Sequence, residues 1–505
     1  MVYSKLYDCP LARADIAGEL TLAKGTPDIG LSRRRPWHLG GNDMEPITVS
    51  DILIATGGSL LYPFEEGRQV CCIDTDSRTI HEDSLFIPLV GEKFDGHVYL
   101  EQALLGGAAG CLTHEPVNKL LPGKFYIRVE DTMTALGDLA RYYRSRFDIK
   151  VVGITGSVGK TTTKDMVASV LSQRFRVLKT EGNFNNNIGV PKTIFNLNRT
   201  HQIAVIEMGM NHMGEIDYLT HIAKPDVAII TNVGDAHIEN LGSRENTLRA
   251  KAEIFNGVNP GGVAVLNGDD PLIAKLDGVL IHPITWYGSS EHCPWRCTCI
   301  EEGERDTMRL TAQTPLGPLE ATIHCLGRYL FYPALSAAAV GERFGMTLEE
   351  IARGIEAFAP TRMRMDVVRC GGGITVLNDT YNANPQSMRA AVDVLANYAG
   401  SVRIAVLGDM KELGDLGPML HQSVGQFVGK SGIDCLITVG ELGARIADGA
   451  RSTGMSEVYD RPNKEEAKVV LSQVLQPGCV VLCKASRSMQ FEELTDYIRR
   501  LAEEK

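Results

Sequence analysis

The chain has 505 residues, 44% of them hydrophobic and 22% charged, which suits an ordinary globular protein of roughly three domains. A net charge of −11 argues against nucleic acid or a membrane surface as partner, and no apolar run reaches the length that spans a bilayer. Twelve cysteines spread over so long a chain read as reduced thiols rather than a disulfide framework, which points to the cytoplasm.

Residues 1–43 lack a clear period, include Arg33, Arg34, Arg35 and Pro36, and contain no apolar core of a secretory signal. They read as a disordered N-terminal extension. A cleaner pattern opens at Met44, and residues 44–147 read as a first domain of short strands and helices. It carries polar clusters at Asp76, Ser77, Arg78 and at Asp95, Gly96, His97, and the adjacent Cys71 and Cys72 fall in an apolar run expected in the core. A helix ending at Arg141–Arg144 leads into the next domain.

Residues 148–360 alternate β-branched runs with helical patterns, the signature of a mostly parallel sheet wrapped by helices. Val151 and Val152 lead into Gly153-Ile-Thr-Gly-Ser-Val-Gly-Lys-Thr-Thr-Thr163, followed by a helical face of Met166, Val167, Val170 and Leu171. Strand, glycine-rich turn and helix form a phosphate cradle, because amide N–H groups and a helix N-terminus converge on one anion. The spacing departs from a standard Walker A: position 154 is Ile, and the glycines fall at 153, 156 and 159. Gly156, Ser157, Gly159 and Thr162 are expected to line the cradle, Lys160 to reach the terminal phosphates, and the Thr161 hydroxyl to face a magnesium ion. Four asparagines, Asn183, Asn185, Asn186 and Asn187, suit a loop presenting amides to a ligand, or a simple turn.

Polar groups follow the apolar runs, where ligands of open α/β sheets bind. Glu207 ends Ile203–Ile206 and is placed as an oxygen ligand for magnesium. His237 lies beyond Val227–Ile230. Lys251, by spacing alone, reads as an exposed helix lysine. His292, Cys293, Cys297 and Cys299 cluster in sequence but fit no strong zinc spacing. Residues 361–505 repeat the buried-strand signal at Ile404–Leu407, Cys435–Val439 and Val480–Cys483, as in a smaller doubly wound domain. Asn378-Asp-Thr-Tyr-Asn-Ala-Asn-Pro385 follows an apolar strand and is a binding-loop candidate. The polar stretches near 147 and 360 are plausible hinges.

These motifs resemble the Mur ligases, ATP-dependent amide-forming enzymes of peptidoglycan synthesis, across residues 44–505. The resemblance rests on Gly153–Thr163, Glu181–Pro191, Asn232–Ser243, Asp379–Met388, Leu407–Gly414 and Lys484–Arg487, and the asparagine-rich pair of motifs points to the dipeptide-adding branch. It implies an α/β, three-domain architecture: a domain for the UDP-sugar, a central P-loop mononucleotide-binding parallel sheet and a C-terminal Rossmann-like domain. It implies a monomeric ligase that joins D-alanyl-D-alanine to UDP-N-acetylmuramoyl-tripeptide through an acyl phosphate, using ATP and two Mg2+ ions. Lys160 would hold the β- and γ-phosphates, and Thr161 and Glu207 the first magnesium. His237 and Lys251, carrying a carbamate, would hold the second. Arg364 would reach ATP phosphate and Asp379 the ribose. Asp76, Ser77 and Arg78 would hold the UDP-sugar end. Asn185, Asn187, Asn382, Asn384, Asp409, Glu412, Lys484, Ser486 and Arg487 would contact the peptide substrates.

One stretch departs from the family. A His-Asn-x-x-Asn-Ala motif after Gly327-Arg328 stands here as Tyr329-Leu-Phe-Tyr-Pro333-Ala334. Stacking by Tyr329 is then expected to replace polar adenine contacts. Ala485 stands where a glycine precedes Ser486. Competing readings are a related ligase, of the folylpolyglutamate or diaminopimelate- or lysine-adding type, a P-loop regulator that binds ATP without ligation, and a non-catalytic scaffold.

Overall fold

The structure is a computed structural model that describes residues 44–235 and 237–504; the extension expected over 1–43 lies outside them. Three sheets organise the described chain. The first unit holds β1 (Ser59–Leu60), β2 (Ile73–Asp74), β3 (Leu85–Phe86), β4 (Gly110–Thr113) and β5 (Phe125–Arg128) in the order β1-β5-β4-β3-β2. Helix α1 (Thr132–Ser145) closes it, opened by the Asp131 side chain accepting from Thr134 N. The buried Tyr143 of α1 donates its hydroxyl to Leu197 O at 2.6 Å, and Arg144 donates to Ala223 O at 3.1 Å, so this helix is seated on the second unit.

The second unit contains β6 (Lys150–Thr155), β7 (Val177–Lys179), β8 (Ile203–Glu207), β9 (Val227–Ile230), β10 (Val263–Asn267) and β11 (Ile284–Gly288), followed by β12 (Trp295–Glu302), β13 (Met308–Thr314) and β14 (Gly317–Ile323). Their order is β7-β8-β6-β9-β10-β11-β12-β13-β14. The strands are parallel as far as β12, and β13 and β14 add an antiparallel meander. Alternation sorts the side chains: Val151, Ala204, Ile206, Ala228 and Ile230 enter the core shared with the first unit, while Val152, Ile154, Val205 and Ile229 face the opposite layer. That opposite layer is built from α2 (Lys160–Leu171) and a later helix, Phe331–Arg343. Between β7 and β9 stand α3 (Gly189–Phe195) and α4 (Glu215–Ala223), and α5 (Arg244–Ala252) precedes β10.

The third unit orders β15 (Asp366–Arg369), β16 (Thr375–Asn378), β17 (Arg403–Gly408), β18 (Cys435–Val439), β19 (Val458–Arg461) and β20 (Val480–Lys484) as β15-β16-β20-β17-β18-β19. Only β15 runs antiparallel. Helices α6 (Pro385–Asn397), α7 (Gly417–Lys430) and α8 (Gly443–Arg451) cover one face. The two faces of this sheet bury separate cores, the pattern of a doubly wound domain. Cys71 and Cys72 are only half-buried, a correction to the core placement expected from their apolar run, because strand pairing there is just two residues long.

Candidate active site

The C-terminal ends of β6, β8 and β9 open onto a cleft of about 890 Å3 that the third unit walls on its other side. The glycine-rich turn sits at its floor. Gly156 has φ of 152°, and a Cβ there would lie 1.8 Å from Thr231 Oγ1, so only glycine lets this turn pass so close to β9. Ser157 N donates to Asn232 O at 3.0 Å and Val158 N to Asn232 Oδ1 at 2.9 Å, which locks the turn to the end of β9. The remaining amides and the N-terminus of α2 face the cleft. Lys160 curls back to donate to Gly156 O at 2.8 Å, and burial holds its ammonium pKa below the usual value.

Glu207 is buried at the end of β8. One carboxylate oxygen accepts from Asn185 Nδ2 at 2.8 Å, and the other, Oε2, is buried without a partner. An orphaned buried carboxylate oxygen is costly unless something binds it. Lys251 corrects the expectation from spacing. It lies in the last turn of α5 at 1% exposure, facing inward rather than to solvent. Burial, and then the charge of Lys160, push its pKa well below the usual lysine value. No carboxylate is close enough to pair with it among the described residues. A lysine in that state gives up its proton more readily than an exposed one, and its neutral form is a nucleophilic amine.

His237 follows β9 with φ of 60°, and Glu412 of the third unit has φ of 65°; both occupy the left-handed region. Their side chains meet, His237 Nδ1 lying 2.7 Å from Glu412 Oε2. The ring nitrogen is not aligned as a hydrogen-bond donor to that oxygen, so the contact is close rather than well directed. The His237 ring nevertheless holds the Glu412 carboxyl below its usual range. Two strained backbones meeting across a cleft are a common mark of function.

Arg364 enters from the start of the third unit. Its Nη2 donates to Thr161 Oγ1 at 2.9 Å, and its guanidinium stacks 4.1 Å over the Tyr381 ring. Thr361 donates to Asp165 of α2 at 2.6 Å. Burial alone would raise the Asp165 pKa, but Lys164 and Lys179, with the Thr361 hydrogen bond, bring it below the usual value. Asp379 accepts from Met365 N at 3.2 Å and from Lys484 Nζ at 2.5 Å. The buried Lys484 also donates to Asn382 O at 2.8 Å, so it ties the 378–385 loop to the end of β20.

The cleft therefore gathers Ser157, Gly159, Lys160, Thr161, Thr162, Asn185, Glu207, His237, Arg364, Asp379, Asn382, Asn384, Lys484 and Arg487. Other expected residues, Gly156, Lys251 and Glu412 among them, fall outside its lining. Asn187 is exposed away from it, whereas its neighbour Asn186 lines it. Asn384 lines the cleft but spends its side chain capping α6, accepting from Ser387 N at 2.9 Å. Asp409 is buried and accepts from Leu442 N, Gly443 N and Lys411 Nζ, while Ser486 Oγ accepts from Lys411 N. These two shape the loop that carries Glu412 rather than the cleft wall. Asp76, Ser77 and Arg78 form a separate turn on the first unit, with Arg78 donating to both Asp76 oxygens, at 2.9 and 2.7 Å. The Asp76 carboxyl also feels Lys192 of α3. Sequence reasoning missed Asp269 and the role of Tyr332, whereas Tyr381 lies in the 378–385 loop already expected to bind. Asp269 accepts from Ser289, Ser290 and, at 3.1 Å, from the Tyr332 hydroxyl, an arrangement with no sequence signature because its members come from three elements.

With this geometry in place, likeness to known proteins is informative. Residues 154–341 match the Mur ligase middle domain, residues 363–487 the Mur ligase glutamate ligase domain, and residues 69–144 the Mur ligase family catalytic domain. A UDP-N-acetylmuramoyl-tripeptide–D-alanyl-D-alanine ligase of Bacillus subtilis is 38% identical over 452 residues, which is 88% of this chain and 97% of that protein. A crystal structure of MurF from Acinetobacter baumannii superimposes with a TM-score of 0.84 at 33% identity, covering 90% of this chain and 99% of that one. A MurF ligase from Thermotoga maritima in complex with ADP does so with a TM-score of 0.76 at 27% identity, over 86% and 98%. Matching identity, near-complete coverage of its relatives and a shared three-domain fold make the chain a member of the Mur ligase family.

Proposed function

We propose that the protein joins D-alanyl-D-alanine to UDP-N-acetylmuramoyl-tripeptide at the expense of ATP. The observation that carries the chemistry is the meeting in one cleft of the Lys160 turn and a Glu207 oxygen without a partner, with the buried Lys251 behind the lining and near enough to feel the Lys160 charge. A carboxylate does not condense with an amine in water without activation. The tripeptide carboxylate attacks the γ-phosphorus of ATP, giving an acyl phosphate and ADP. The dipeptide amine then attacks the acyl carbon, loses a proton, and phosphate departs as the amide forms.

The residues present suit magnesium. Thr161 and Glu207 would hold one ion, and His237 with Lys251 a second, once CO2 has added to the Lys251 amine and a proton has left to give a carbamate. Magnesium, when bound, would offset the repulsion between carboxylate and polyphosphate. The protein's own groups do the rest. The amides of the turn that are not bonded to Asn232 and the Lys160 ammonium hold the phosphate chain, and Arg364 approaches it from the third unit. Alignment and preorganised charge are the main sources of rate in phosphoryl transfer. Asp379 would meet the ribose, Tyr329 the adenine, and the Asp76-Ser77-Arg78 turn the UDP-sugar. Lys484, Arg487 and the asparagines of both loops would bound the peptide ends. Domains at 44–147, 148–360 and 361–505 would each carry one substrate, hinging near 147 and 360, so that closure excludes water from the acyl phosphate. Free cysteines on every sheet support a reducing compartment, the cytoplasm. No helix among the described residues is long and apolar enough to cross a membrane.

The deciding experiment supplies ATP, magnesium, UDP-N-acetylmuramoyl-tripeptide and D-alanyl-D-alanine, and follows phosphate and peptide by mass spectrometry. Equal amounts of phosphate and of lengthened UDP-muramoyl-peptide are expected. Parallel reactions with glutamate, lysine or diaminopimelate as the amine should stay silent. Phosphate without peptide, or a preference for a single amino acid, would overturn the reading.

A further inference from the structure

Outside the cleft, three ligand-type side chains meet on the first unit. The Cys72 thiol, the Asp74 carboxylate and the His81 ring place one ligand atom each within 4.8 Å of one another. Local structure brings them together. Cys72 immediately precedes β2 and Asp74 ends it, so extended-chain alternation puts both on one face. The chain then turns, with Thr79 N donating to Asp76 O at 3.2 Å. It returns so that His81 N donates to Asp74 Oδ2 and His81 Nδ1 sits 2.8 Å from Asp74 Oδ1. On the other side, Leu85 N of β3 donates to Cys72 O at 2.9 Å. The Asp74 side chain is nearly buried, and His81 is its one ionic partner among the described residues. A buried carboxylate is retained at a cost unless a cation meets it.

We propose that Cys72, Asp74 and His81 form a site for a divalent ion of the zinc class, with water as the fourth ligand. The donors are one sulfur, one nitrogen and one oxygen, which select zinc over magnesium or calcium, both of which take oxygen alone. Tetrahedral bonds of about 2.0–2.3 Å set ligand atoms roughly 3.3–3.6 Å apart. The Asp74–His81 contact therefore opens by about half an ångström on binding. The His81 side chain is 69% exposed and can supply that shift by rotation. Binding releases the thiol proton to solvent and leaves the imidazole neutral. The loop closed by the site is residues 75–80, so the ion braces the turn that carries Asp76, Ser77 and Arg78.

The test uses the full chain, stripped by chelation and titrated with Co2+ or Zn2+ alone. A sulfur-to-cobalt charge-transfer band in the near ultraviolet is expected, and Cys325→Ser, a change at the thiol that lines the cleft, should keep it. Cys72→Ser should abolish the band. His81→Ala, a change at an exposed side chain that leaves the fold intact, should weaken cobalt and zinc binding by more than about tenfold, since even changes behind a ligand cost about that much. Cys71→Ser, one residue off that face, should keep the band. Zinc should raise the melting temperature of the parent chain and not of His81→Ala. No thiolate band in the parent chain, or a band equally strong in Cys72→Ser and His81→Ala, would overturn the proposal.

Discussion

Replacing Lys251 by alanine tests the catalytic reading most sharply. The side chain is 1% exposed and its nearest charged influence is another cation, Lys160. Such a lysine stabilises nothing as an ammonium, so Lys251→Ala should leave the thermal midpoint unchanged or raise it. Its effect on turnover should be large. As a carbamate, Lys251 would convert a buried cation into an anionic oxygen ligand within electrostatic reach of Lys160. Losing it removes one of the two anionic side chains proposed for the metal-binding end of the cleft. Removal of one preorganised charge-stabilising group costs about 2.7–4 kcal/mol, or about 10²–10³ in kcat. The assay is phosphate release coupled to peptide formation, run in buffer purged of CO2 and again with bicarbonate restored. The parent enzyme should slow on purging and recover with bicarbonate, and Lys251→Ala should respond to neither. Labelled 13CO2 should give a carbamate carbon resonance that Lys251→Ala lacks. A Lys251→Ala enzyme within tenfold of the parent, together with no response to bicarbonate, would refute the reasoning.

Three further outcomes follow from particular contacts. Tyr329→Ala should raise KM for ATP at least about fivefold with a smaller change in kcat, because base stacking on an aromatic ring is worth about 1–3 kcal/mol; an unchanged KM rules out the stacking role. Gly137→Ala should destabilise by about 1–3 kcal/mol in urea titrations, because its Cβ would fall 1.6 Å from the Tyr218 hydroxyl where α1 packs on α4. Tyr218→Phe should instead be neutral or stabilising, since that hydroxyl is buried without a partner. His421 is buried in α7, accepts from Met410 N at 2.8 Å and lies 2.7 Å from Gly417 O, and burial holds its pKa below 6.5. The unfolded chain then takes up a proton near pH 6.5 that the native chain refuses. Stability should fall as pH drops below about 6.5 and level off below the native pKa. A His421→Gln chain should show a flatter dependence between pH 7.5 and 5, measured by denaturant midpoint.

Much of the architecture was legible because its signals are local. Ile203–Ile206 and Val227–Ile230 became β8 and β9 with the expected bounds to within one residue, since a fully buried parallel strand needs an unbroken apolar run whatever surrounds it. The glycine spacing at 153–163 gave away the tight turn between β6 and α2 because its geometry is made by consecutive residues. Sequence pattern also placed Glu207 at a strand end, where the sheet's own directionality delivers it to the cleft. What depends on neighbours far along the chain was not legible. Lys251 has the pattern of a solvent-facing residue, and only the packing of α5 against its neighbours, α4 among them, buries it. Asp409 and Ser486 sit in the family's motif, yet the contact of β17 with the start of α8 turns them into braces for the Glu412 loop. The meeting of His237 with Glu412, of Arg364 with Thr161, and of Asp269 with Tyr332 joins residues 63 to 203 positions apart. Short-range pattern determined the elements and their order, whereas burial, pairing and charge environment were decided by tertiary structure, because each is a sum over atoms that chain order alone does not bring together.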